Sequence, residues 1–278
     1  TARGWEDLSE ILYLYEDEAL TADETLVGQY LRNDKIVKEF CAYYDLYCKY
    51  KKDYRIEEIL NGQASVQAIS RAKAAPFDER LSLLGMLLDK ILADMKECME
   101  ELSCLTQLQG SLKAVKAMAQ EAYTEQVLGE LDRLAQGRKK LLENLKLANS
   151  LSDEEKKKHR SVIRFLEECR KELYVGDYPS GREAFAFVKE KYDKKVARAK
   201  RESERIQKEL HELFAFAEEA FGQGNEMLIL VTELTVNSHS AQFLAAFPSP
   251  DYQRHNEALL LDERKEEIKA RIADLKLD

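Results

Sequence analysis

The chain is poor in residues that interrupt helices. Only four prolines and eleven glycines punctuate 278 residues. That scarcity excludes a sandwich or barrel of short strands, in which each connection needs its own turn residues. Five cysteines, Cys41, Cys48, Cys98, Cys104 and Cys169, form no CxxC pair and are odd in number. Neither a disulfide framework nor a zinc site of ordinary ligand spacing follows from them. All five fall on helical patterns, mostly at apolar positions, where free cysteine behaves as a small hydrophobe in a reducing compartment. No apolar run approaches the roughly 20 residues that cross a bilayer, and no secretory leader is visible. The expected compartment is therefore the cytoplasm, with no membrane partner. A net charge of −9 argues against general nucleic-acid binding.

Catalytic patterns are missing as well. The four histidines, His159, His211, His239 and His255, stand apart in the sequence, and there is no HExxH, no His/Cys cluster and no GxSxG elbow. There is no GxxxxGK[ST] loop, so no backbone nest of the usual kind can cradle a nucleoside triphosphate. Gly176-Asp-Tyr-Pro-Ser-Gly181 has the glycines of a phosphate loop, but Arg182-Glu183 follows where lysine and a hydroxyl residue would be required, so it reads as a turn. Carboxylates are plentiful, and Glu/Lys pairing one turn apart on helix faces accounts for them. No catalytic residue and no metal ligand is assigned, and a free-standing enzyme is not expected.

What is present is helix-forming sequence. With 45% hydrophobic and 34% charged residues, the chain is too charged for an ordinary compact enzyme core, and long helices are the usual solution. The expected fold class is all-α: a base of short helices carrying a long antiparallel coiled-coil arm. Thr21 with Glu24 has capping-box spacing and predicts a helix start there. Asn33 or Asp34 caps the next helix, whose buried side is marked by Ile36, Val37, Phe40, Tyr44 and Tyr47. The crowd of tyrosines at 43, 44, 47, 50 and 54 would suit base stacking, yet at helical spacing it reads as packing. Asn61-Gly62 stops a helix and Ala74-Ala75-Pro76 forces an extended break. The expected segments are residues 1–62, a helical arm over 77–222, and C-terminal helices over 223–278 that pack back on the base.

The arm rests on apolar spacing. Leu81, Leu84, Leu88, Ile91, Met95, Cys98, Leu102 and Leu105 alternate by three and four, as a heptad seam does. Leu108 then follows three residues on where four was due, and with Gly110 nearby this predicts a kink or short loop around 103–111. The seam resumes through Leu112, Val115 and Ala119, and later through Leu128, Leu131, Leu134, Leu141 and Leu145. Ser152 with Glu155 is a second capping box, opening a helix with Ile163, Leu166, Cys169 and Leu173 on its apolar side. A return seam runs through Phe185, Val188, Tyr192, Val196, Ala199, Ile206, Leu210, Leu213 and Ala217, interrupted by Ser203. At about 1.5 Å per residue, some forty residues would carry such an arm on the order of 60 Å. Lys189 to Lys208 is rich in cations, which reads either as a surface for an acidic partner or as a solvated face neutralised by glutamates such as Glu202 and Glu204. Asn225 caps the apolar run Met227-Leu-Ile-Leu-Val231 with Leu234, which belongs in a core.

The chain opens Thr1-Ala2-Arg3-Gly4-Trp5-Glu6-Asp7-Leu8-Ser9, already in the stride of an amphipathic helix, and is read as starting inside a larger protein. This opening resembles the sensor-2 segment of MoxR-type AAA+ ATPases, a Ser/Thr-Pro/Ala-Arg-x-Trp run at the start of a lid helix. The stretches Thr21–Leu31 and Phe40–Tyr47 resemble the continuation of bacterial MoxR-like ATPases with a long helical extension. The resemblance covers roughly residues 1 to 60 and thins beyond. It implies that Arg3 senses the terminal phosphate of ATP held with magnesium on an upstream core, while this stretch holds no cofactor itself. It also implies a hexameric parent and a protein client or adaptor as partner. The bland alternative makes Arg3 a solvated residue at a helix start and Trp5 a core anchor. Two functions follow: the lid end and extension of an ATPase that remodels proteins, or a coiled-coil scaffold indifferent to nucleotide.

Overall fold

A computed structural model describes residues 2–18, 20–148 and 150–259. Every regular element among the described residues is a helix: α1 (Ala2–Asp17), α2 (Glu24–Tyr30), α3 (Asp34–Tyr54), α4 (Ile56–Leu60), α5 (Val66–Ala74), α6 (Phe77–Ala119), α7 (Thr124–Leu147), α8 (Asp153–Val175), α9 (Gly181–Phe221), α10 (Asn225–Val236) and α11 (Ser238–Ala246). Residues 250–259 are helical too. The class is all-α, as the scarcity of turn residues requires. The chain forms two compact units. Among the described residues, one holds residues 2–88 with Ala215–Met227, and the other holds Asp89–Phe214 with residues 228–259. Residues 260–278 of the expected C-terminal segment lie outside the described residues.

In the first unit, local chemistry sets the helix ends. α2 is capped by Asp23, whose carboxylate accepts from Leu26 N–H at 2.8 Å. The Thr21–Glu24 capping box does not form, because Glu24 is already the first helical residue and Asp23 has the better acceptor one position before it. Asn33 caps α3, accepting from the N–H groups of Lys35 and Ile36. Gly62, with φ of 74°, turns the chain after α4, and Ala75 before Pro76 is extended, ending α5. A small core gathers Leu8, Val27, Leu31, Val37 and Cys41, with Leu12, Tyr30 and Phe40 packed against it. Elsewhere in this unit Arg71 of α5 bonds Asp53 of α3 at 2.6 Å and Glu79 of α6 at 2.9 Å. Its guanidinium lies 5.0 Å from the ring centre of buried Tyr54, whose hydroxyl also donates to Glu79.

The second unit is organised as a four-helix cluster. Leu108, Leu112 and Val115 of α6, Val127, Leu131 and Ala135 of α7, Val162, Phe165, Leu166, Cys169 and Leu173 of α8, and Ala184 and Val188 of α9 share one core. Ion pairs give the directions. Lys139–Glu167 and Arg170–Asp132 run α7 against α8, Lys96–Glu154 and Lys157–Glu100 run α8 along α6, and Lys195–Glu101 with Arg205–Asp94 runs α9 antiparallel to α6. The predicted Ser152–Glu155 capping box opens α8, with both reciprocal hydrogen bonds formed. Residues 250–259 join this unit through stacking of His255 on Phe214 and a His211–Asp251 contact at 2.7 Å.

Three seam expectations are corrected. α6 is unbroken from Phe77 to Ala119, with no loop at 103–111. Cys104, Leu105 and Leu108 are all buried, so the three-residue slip marks a stripe that widens where α6 meets more than one partner. The helix ends instead at Gln120–Tyr123, where Gln126 accepts from the Tyr123 N–H at 2.8 Å. The α7 core face is Val127, Leu131, Ala135 and Leu142, whereas Leu141 is 47% exposed. Asn225 is the first residue of α10 and not its cap. The polar break in the α9 seam is satisfied locally, since buried Ser203 donates its hydroxyl to the Lys200 carbonyl at 2.8 Å.

A Cβ added at Gly110 meets nothing within 4 Å, so Gly110→Ala is expected to raise stability by about 0.5–1 kcal/mol in urea unfolding through the lost entropy of the unfolded chain. A loss of stability would show that the backbone there is bent. Leu166→Ala, at a site 1% exposed in the four-helix core, is expected to cost about 2–5 kcal/mol in the same assay.

Candidate functional site

An open cleft of about 590 Å³ lies where the start of α1 meets the connection between α2 and α3. Arg3, Trp5 and Asp7 come from α1, Gln29 and Tyr30 from α2, and Arg32 and Ile36 from the connection and the first turn of α3. The small core fixes this arrangement from below. Leu8 lies just over a turn beyond Arg3, Leu31 precedes Arg32, and Val37 follows Ile36; all three are buried. The cleft walls are thus tethered while the polar tips stay in solvent.

Arg3 is held loosely. Its Nε lies 3.9 Å from Asp7, and the two side chains are 89% and 52% exposed, a pairing of little energetic consequence in water. Arg32 is exposed and makes no ion pair among the described residues. Two guanidinium groups therefore face one cleft with weak internal compensation, a geometry that accepts phosphate or carboxylate oxygens. No sequence spacing singled out Arg32; only the α2–α3 connection brings it beside Arg3.

Trp5 is 43% exposed and meets Phe40 edge-on at 5.4 Å, so it is a wall of the cleft and not a core anchor. Behind it Phe40, Tyr44 and Tyr47 stack at 5.9 and 6.2 Å. The tyrosine-rich stretch divides by depth: Tyr54 is 1% exposed, while Tyr43 is 57% exposed. The Tyr44 hydroxyl donates to Glu16 at 3.0 Å, and burial followed by its neighbours Cys48 and Glu16 pushes its ionisation well above the ordinary tyrosine range. Glu16 also accepts from Lys51 at 2.6 Å; burial works against the Lys51 charge, but the bond to Glu16 wins and raises it.

Other sequence features find structural roles. The Gly176–Gly181 loop is bound to the α6–α7 connection, with Gly181 N–H donating to Ala122 O at 3.0 Å and Thr124 donating to Tyr178 O at 2.6 Å. A Cβ on Gly181 would come within 2.5 Å of the Ala122 carbonyl oxygen, so the glycine serves close backbone approach. Cys41, Cys98, Cys104 and Cys169 are buried, Cys48 is exposed, and all are free. The histidines stay apart: His211 pairs with Asp251, His239 with Glu154, and His255 stacks on Phe214. Among the described residues no group of three or more His, Cys, Asp or Glu is placed to hold a metal ion. Cations of the 189–208 stretch are largely matched, Lys189 by Asp193, Lys194 by Glu190 and Lys195 by Glu101, while Arg205 reaches Asp94, Glu202 and Glu209. No described helix is long and apolar enough to cross a membrane.

Comparison of the chain with protein-family models, curated proteins and solved structures finds no match.

The exposed Arg3–Asp7 pair implies that Arg3→Ala leaves folding intact. The expected change in unfolding free energy is below about 0.5 kcal/mol, checked by urea titration of the full chain. A loss above about 1 kcal/mol would make Arg3 a structural residue.

Proposed function

We propose that this chain is the end of the sensor-2 lid and the helical extension of a MoxR-like AAA+ ATPase, acting with a nucleotide-binding core that precedes it in a longer, hexameric protein. In this reading Arg3 contacts the terminal phosphate of ATP bound with magnesium on that core. The observation that carries it is the Arg3-Gly-Trp5 run, with a loosely held guanidinium at the mouth of the cleft shared with Arg32. Guanidinium keeps its charge at any physiological pH and matches phosphate oxygens with paired donors. Hydrolysis removes the phosphate that Arg3 holds, and the lid relaxes to a different angle. The long helices α6 and α9 form a coiled-coil arm that carries this motion to a protein client or adaptor, giving ATP-driven remodelling in the cytoplasm. This stretch performs no bond chemistry.

A second reading, a scaffold without nucleotide dependence, is favoured by the shared core that α6, α7, α8 and α9 build from the chain's own residues.

Arg3→Ala in the protein together with its upstream core separates the two. The ATPase reading expects ATP turnover to fall on the order of 10²-fold, the effect of removing one preorganised charge donor, with helix content unchanged by circular dichroism. Equal turnover in both proteins contradicts the sensor role of Arg3, and helix content and oligomerisation indifferent to ATP would favour the scaffold.

A further inference from the structure

In the second unit, α6 and α9 pass antiparallel and leave a groove of about 250 Å³ along one side. Its floor is apolar. Leu112 is 6% exposed, and Phe185 and Tyr192 are half-buried against the four-helix core. The Tyr192 hydroxyl donates to the Leu105 carbonyl at 3.3 Å, which holds the ring along the floor. The rim is basic. Lys113 and Lys116 of α6 are exposed, lie one turn apart, and make no ion pair among the described residues. On the α9 side Lys189 is already matched by Asp193 at 2.5 Å. Cations further along α9 follow Lys189: Lys191 pairs with Glu172, Lys194 with Glu190, and Lys200 with Glu204. Two ammonium groups with no ion pair among the described residues therefore border an apolar floor, and the one carboxylate on the opposite wall, Asp193, is already bound by Lys189.

The geometry points to this groove as the docking site of an acidic amphipathic helix from another protein, with a bulky apolar side chain on the Leu112, Phe185 and Tyr192 floor and carboxylates one turn apart against Lys113 and Lys116. A furrow between two helices accepts a third at ordinary packing distance, and the apolar floor supplies the anchor that such helices use. The one-turn separation of the lysines matches acidic residues three or four apart on the incoming helix. Charge complementarity sets orientation and excludes basic partners. A lipid surface fits less well, because the apolar residues are recessed and the net negative charge opposes an anionic bilayer. The inference is independent of any nucleotide link.

The test uses the full chain and a labelled helical peptide of about sixteen residues, with Leu and Phe on one face flanked by Glu at one-turn spacing. Fluorescence anisotropy is expected to show saturable binding that weakens as salt rises. Lys113→Glu with Lys116→Glu is expected to weaken it at least about tenfold, and Gln109→Glu, on the groove wall, severalfold. Lys140→Glu with Lys171→Glu, the same charge change on α7 and α8, is expected to leave it unaltered, with thermal melts confirming that all variants fold. Absence of binding, equal losses in both double variants, or equal affinity for the Glu→Gln peptide overturns the proposal. So does a dimer in sedimentation that the Lys113/Lys116 reversal abolishes, which would make the occupant a second copy, or binding to phosphatidylserine vesicles in place of the peptide.

Discussion

The buried face of α8 is the constraint on which the second unit rests. Val162, Phe165, Leu166, Cys169 and Leu173 line one side of that helix and meet α6, α7 and α9 together. Rotation of any one helix would expose part of a face that the other three cover, so the packing fixes all four at once. The ion pairs at the edges, such as Lys139–Glu167 and Arg170–Asp132, are half-exposed and add little energy each, but they agree with the same register. Depth shows in the chemistry of Cys169, whose thiol burial pushes up to about 12, so it stays protonated and acts as packing. Further along α9, Arg205 gathers Asp94, Glu202 and Glu209. Burial drives the Glu209 carboxyl upward even beside that guanidinium.

The first unit combines apolar burial with a polar tie. Leu8, Val27, Leu31, Val37 and Cys41 share one cluster, and Ile59, Leu60, Leu83, Leu84 and Leu87 are fully buried as well. Arg71 ties α3, α5 and α6 together through Asp53 and Glu79, with its guanidinium over Tyr54. One guanidinium satisfies two carboxylates and covers an aromatic ring, an arrangement that lysine could not reproduce. The loosely held arginines of the cleft, Arg3 and Arg32, contrast with this tie: the same side chain is clamped in one place and unclaimed in another.

The all-α class was legible because it rests on composition and local period, which need no knowledge of partners. The same holds for the caps at Asn33 and Ser152, the break at Pro76 and the turn at Gly62. Register failed where tertiary context decides. Leu141 and Leu142 look alike in sequence, yet Leu142 is 6% exposed and Leu141 47%. The seam through Leu105 and Leu108 read as a slip because a two-helix pattern was assumed, whereas a helix with several neighbours buries a wider stripe. At the cleft, Arg3 was legible through its neighbours Gly4 and Trp5. Arg32 carries no motif and became visible only once the chain between α2 and α3 was traced. The basic rim at Lys113 and Lys116 was hidden for a related reason: the richer run of cations on α9 drew notice, yet those charges are mostly matched.

The proposed ATPase function rests on a short run of residues and on the cleft they line, so its central claim concerns a nucleotide-binding core encoded upstream of Thr1. Sequencing and translating the reading frame immediately upstream tests it most directly. The account predicts a Walker A loop, an acidic Walker B strand and a finger arginine in that frame, the parts that hold and hydrolyse the nucleotide. A start codon just before Thr1, or further coiled coil in place of a nucleotide-binding core, would contradict it and leave a helical interaction module.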